Sequence, residues 1–257
     1  MRSPCFIQGL IACAVLAGHD SLAATWQGGT GAWSEAEKWL DGIVPLNGVP
    51  DSEAHYSVEI DGGNPEFSSV LLDMNAAIDN LTIDPDHSLS IQARQQLGID
   101  AAAGGLIRVR GTLALDASET NGARLFISGG TATLEEGGEL RLSDSAFNTI
   151  HGTGDATLLN LNVKISGAGV IGDNILRFDN RGQMIATGSK PLILDTGFSS
   201  SQNLGLIQAN FGSILKINGG LYHNAEDTTD GTIRAFGGTV ILEHLAEIAG
   251  GIVDVLG

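Results

Sequence analysis

The chain has 257 residues, a formal net charge of −17 and only 13 lysines and arginines, which disfavours contact with nucleic acid or an anionic membrane surface. Both of its cysteines, Cys5 and Cys13, fall near the N-terminus, so disulfides and thiolate chemistry have no place in the rest of the chain. Thirty-six glycines against six prolines point to many tight turns between short strands rather than to helices.

Residues 1–23 read as an export signal. Arg2 supplies the charge, an apolar run extends from Phe6 to Ala17, and Ser21-Leu22-Ala23 offers the small residues that signal peptidase requires, giving cleavage after Ala23. The run is far shorter than the roughly 20 residues that span a bilayer, and no later segment approaches that length. Leu10-Ile11-Ala12-Cys13 is a weak lipobox, but cleavage there would leave a signal of only twelve residues.

Residues 24–66 carry all three tryptophans, Trp26, Trp33 and Trp39, within TWQGGTGAWSEAEKWLDGIVP. Two roles suit them. They can cap the open apolar end of a first coil, or they can stack against sugar rings.

Residues 67–257 repeat a short alternation. Leu81/Ile83, Leu89/Ile91, Leu97/Ile99, Ile107/Val109, Leu113/Leu115, Leu125/Ile127, Leu140/Leu142 and Val163/Ile165 each give a strand one apolar face. Further on, GQMIA from Gly182, GLIQA from Gly205 and GTIRA from Gly231 have glycines 23 and 26 residues apart. A second apolar pair follows each, so one unit reads as strand, glycine turn, strand, turn. Strands this short cannot bury a face alone, and stacking of units buries it. The expected fold is all-β, a right-handed parallel β-helix of about 23 residues per coil and a rod of about 40 Å. An antiparallel β-sandwich is the alternative. Asn180 and Asn203, each two residues before a repeat glycine, suit left-handed turn positions and can stack as ladders. Gly250–Gly257 is expected to supply the first strand of a coil and then stop, leaving an open edge through which the chain self-associates, or onto which the remaining coils of a longer protein stack.

The pattern Trp26, Gly28, Gly29, Gly31, Trp33, followed by Trp39, Gly42 and Pro45, resembles the opening segment of bacterial exported β-strand-repeat proteins, including autotransporter passenger and adhesin-like chains. The stretch ISGAGVIGDNILRFDNRGQMIA is similar to their repeat. The resemblance implies surface or extracellular placement in a Gram-negative-like bacterium, often adhesive roles, and no catalytic residues. A complete autotransporter also carries a C-terminal membrane barrel of many strands of about ten residues, and residues 67–257 are not expected to form one.

The chemical candidates are few. GAGVIG, Gly167 to Gly172, matches a dinucleotide fingerprint, but a second strand follows it where a helix is required, so a repeat turn is expected. Gly152-Thr153-Gly154-Asp155 approaches one calcium β-roll repeat, and Asp84 and Asp86 flank Pro85 as possible ligands of a hard cation. Thr131-Ala132-Thr133 is a single Thr-x-Thr, short of the ranks that bind ice. His55, His87, His151, His223 and His244 are scattered, and no Gly-x-Ser-x-Gly elbow occurs. Arg108 and Arg110, projecting together from one strand near Asp116, are the best candidates for an active face. The expectation is a structural, adhesin-like β-helix with no catalytic residues, cofactor or metal, and with a surface polysaccharide or another protein as partner. A polysaccharide lyase or hydrolase is the alternative.

Overall fold

The computed structural model describes residues 21–60, 67–103, 105–197 and 199–257. The chain winds as a β-solenoid of about 25 residues per coil, with three parallel sheets of ten, ten and eight strands as its faces. A coil contributes one strand to each face in turn, as in Tyr56–Ile60, Ser69–Leu72 and Ala76–Ile78, then Asn80–Ile83, Ser88–Gln92 and Gln96–Asp100. The sandwich alternative is excluded, because the antiparallel pairing among the described residues is confined to a hairpin of Ala225–Glu226 with Thr229–Asp230 and a bridge between Trp26 and Trp39.

Alternation sets the core. In each of the eight pairs named above both residues are buried, and the register stacks them into interior columns such as Val70, Leu89, Leu113, Leu140, Ile165, Met184 and Ile207. Burying each such side chain contributes about 1.5–3 kcal/mol, and it does so only because a neighbouring coil covers it.

Coils hold three strands, not two. Leu81/Ile83 and Ile107/Val109 mark early strands of the first face, and the strands missed are later ones of that face, including Arg177–Asn180 and Ser201–Asn203. There the interior column Val58, Leu81, Ile107, Leu134 continues as Asn160, Asn180 and Asn203, so polar residues stand where the apolar alternation should be. These asparagines are fully buried and form a ladder: Asn160 Nδ2 donates to Asn180 Oδ1 (2.9 Å), Asn180 to Asn203 (2.7 Å) and Asn203 to Asn224 (2.7 Å). Asn180 and Asn203 end strands and are absent from the residues with positive φ, so the ladder forms without the left-handed turn positions expected for them.

The GAGVIG stretch is a corner of the repeat, with Gly167 ending the strand Lys164–Gly167, Gly169 opening the strand Gly169–Ile171 and Gly172 following it. Gly167, Gly169 and Gly172 have φ of +124°, +135° and +108°, and a Cβ on each would lie 1.9–2.4 Å from a carbonyl oxygen of an adjacent coil.

At the N-terminal end, Leu22–Trp26 pairs with Tyr56–Ile60, and its outer edge is covered by the chain itself: Leu40 N donates to Thr25 O (2.9 Å) and Gln27 N to Lys38 O (2.8 Å). Residues 1–20 of the expected signal lie outside the described residues. Cleavage after Ala23 would leave Ala24, Thr25 and Trp26 still paired with Val58, Glu59 and Ile60.

The last coil gives Glu247–Ala249 to the first face and Ile252–Leu256 to the second. The final stretch is thus the second strand of its coil, not the first. Val253 and Val255 continue the columns of Ile233 and Ala235 but are 64% and 79% exposed.

Candidate functional site

Two features concern the residues singled out in the sequence. The first is the tryptophan cluster. Trp26, Trp33 and Trp39 are 0–1% exposed and pack edge to face, with Trp39 at 5.1 Å from Trp26 and 4.8 Å from Trp33 between ring centroids. Each indole N–H reaches a carbonyl, Trp26 to Gly29, Trp33 to Pro45 and Trp39 to Trp33. No ring face is left open to a sugar.

The second is an open groove of about 490 Å³ along the corner between the first and second faces, lined by Phe67, Asp86, His87, Ser88, Arg110, Gly111 and Thr112. Three successive coils build it. Phe67 leads into Ser69–Leu72, the tight turn through Asp84 and Asp86 into Ser88–Gln92, and Arg110-Gly111 into Thr112–Asp116. The coils approach so closely here that a Cβ on Gly111 would sit 2.2 Å from His87 O. Phe67, 61% exposed, stacks on the His87 ring at 6.3 Å and 28°, and His87 Nδ1 accepts from Ser68 N at 2.9 Å. Arg110 donates from Nη1 to Asp84 (3.2 Å) and from Nε to Glu136 (3.3 Å); the Glu136 hydrogen bond, with its charge, raises the guanidinium pKa further. An exposed aromatic ring flanked by a carboxylate, a guanidinium and hydroxyls is chemistry that suits a sugar.

The proposed active face does not assemble. Arg108 lies on the first face and pairs with Glu135 at 3.0 Å, Arg110 occupies the corner outside any strand, and Asp116 ends a strand of the second face. Asp116 accepts from Ser90 Oγ and lies 3.9 Å from Arg141. The two arginines bind carboxylates of adjacent residues, Glu135 and Glu136, while Asp116 lies beside Arg141 instead. Of the two acidic turns, Asp84 is bonded to Arg110, whereas Asp155 accepts from its neighbour Thr153 (2.6 Å), which lowers its pKa.

Sequence reasoning missed one cluster. His55, Asp79 and Asp100 offer ligand atoms that all lie within 4.8 Å of one another. They are 24 and 21 residues apart, about one coil each, and that spacing was the available signal. The hydrogen bond to Asp79 raises the His55 pKa against the opposing effect of burial, with Asp100 and Glu53 adding to the rise.

No helix among the described residues is long and apolar enough to cross a membrane. No family model, curated protein or solved structure matches the chain.

Proposed function

We propose that the chain is an exported structural and adhesive β-solenoid of a bacterial surface or extracellular matrix, similar to autotransporter passengers and adhesins. The observation that carries this reading is the use made of its few cations. Arg108, Arg110, Lys164, Lys216 and Arg234 each pair with a carboxylate supplied by another coil, at 2.8–3.3 Å. The basic side chains thus link coil to coil along the outside of an acidic rod. The signal-like leader and the tryptophan segment support export. Mass spectrometry of the secreted fraction tests it: the mature chain should begin at Ala24 or Thr25, and an intact Met1 there, or a lipid on Cys13, would overturn the assignment.

A second reading, a carbohydrate-active enzyme, is favoured by the corner groove, where Phe67 can support a sugar ring beside Asp86 and Arg110. Release of reducing ends or unsaturated products from acidic and neutral polysaccharides, lost in Arg110→Ala, decides for it. Binding without turnover decides for adhesion.

A further inference from the structure

At the corner between the third and first faces, the N-terminal coils bring one imidazole and two carboxylates together. His55 precedes Tyr56–Ile60, Asp79 precedes Asn80–Ile83 of the next coil, and Asp100 ends Gln96–Asp100. Asp79 is 2% exposed: Oδ1 accepts from Asn47 Nδ2 (2.8 Å) and lies 2.9 Å from His55 Nδ1, and Oδ2 accepts from Ser21 Oγ, a bond that cleavage after Ala23 would remove, leaving Asn47 and His55 as its partners. Among the described residues neither Asp79 nor Asp100 forms an ion pair with a lysine or arginine. Two carboxylates, one of them buried, thus face a single histidine, and a buried carboxylate needs a compensating charge.

We propose that His55, Asp79 and Asp100 form a zinc-type divalent metal site that clips successive N-terminal coils together. The donor set decides the class of ion. One nitrogen and two carboxylate oxygens suit zinc or a similar transition metal, which takes three protein ligands and a water, whereas calcium takes six to eight oxygens. Ligands about 2.0 Å from a tetrahedral ion stand about 3.3 Å apart, so His55 and Asp79, at 2.9 Å, separate by a few tenths of an ångström, and Asp100, in a cluster whose ligand atoms lie within 4.8 Å of one another, closes in by up to about 1.5 Å. The proton shared between them passes to solvent as the ion enters, and Asn47 remains on Asp79 Oδ1 to orient the carboxylate.

The test uses the full chain, purified without a polyhistidine tag and stripped with chelator, titrated with zinc chloride in a calorimeter and melted with and without zinc. One equivalent should bind and raise the melting temperature. His55→Gln and Asp100→Asn should each weaken binding at least tenfold and abolish the thermal shift while leaving the far-UV circular dichroism unchanged, and His223→Gln should bind as the parent does. Cobalt should give the visible absorption bands of a four-coordinate ion in the parent and not in His55→Gln. Absence of binding by the parent, unchanged affinity in both ligand variants, or tighter binding of calcium than of zinc overturns the proposal.

Discussion

Asn160 and Asn180, twenty residues apart in sequence, are joined by a 2.9 Å hydrogen bond between fully buried side-chain amides. Earlier coils fill the same column with Val58, Leu81, Ile107 and Leu134, and the amides are tolerated in it because each rung satisfies the next.

Replacing Asn180 by Leu removes the acceptor of one bond and the donor of the next, leaving Asn203 Oδ1 buried without its 2.7 Å partner. A stranded buried acceptor and two lost bonds should cost about 3 kcal/mol despite the added apolar volume. Urea unfolding checks it, and a variant as stable as the parent would show that the ladder contributes nothing.

Trp33 lies at 0% exposure against Trp39, so Trp33→Ala should lower stability by about 3–5 kcal/mol. Because the ring has no open face, affinity for any polysaccharide ligand measured under folded conditions should be unchanged. Loss of sugar binding at full stability would reverse the assignment.

Gly169→Ala places a methyl group 2.4 Å from Asn148 O at φ +135°. The expected cost is at least about 2 kcal/mol, read from chemical denaturation. In contrast, Gly137 has φ +77° but open space around it, and an Asn there should be tolerated far better.

His151 packs on Phe126 at 5.0 Å between centroids, and its Nε2 is enclosed with no hydrogen-bond partner. Burial lowers its pKa below the usual 6.5. The unfolded chain therefore takes up the proton more readily than the folded one. The stability linked to this group is complete above pH 6.5 and is lost as pH falls through the lower folded value. Urea midpoints measured from pH 7.5 to 5 should drop more steeply for the parent than for His151→Phe, and parallel profiles would remove His151 as the cause.

Val253→Lys with Val255→Lys places charge on the exposed end of two core columns. If the parent self-associates through this end, sedimentation velocity should show concentration-dependent growth that the double variant lacks. A parent that stays monomeric to high micromolar concentration excludes the idea.

The repeat was legible because the inward pairs are aliphatic: Leu89/Ile91 and Leu113/Leu115 announce strands of the second face, and Leu97/Ile99 and Leu125/Ile127 strands of the third. The first face was only half legible. Up to Leu134 its column is aliphatic, but beyond it asparagine fills the same inward position, and an apolar period cannot register a hydrogen-bonded amide. The corner groove was legible only in pieces. Asp84, Asp86 and Arg110 stood out, whereas Phe67 and His87 join them through the stacking of coils, which local spacing does not reveal. For the same reason His55 read as one of several scattered histidines, and Asp79 and Asp100 join it only through the stacking of coils.

The Lys38–Leu40 segment, lying antiparallel along the outer edge of Thr25–Gln27, has a bearing on quaternary structure. It occupies the backbone groups through which another copy could add a strand to the first face at that end. A sheet closed in this way cannot be lengthened there by strand addition from a second rod, so growth of the first face by that route is barred on the tryptophan side.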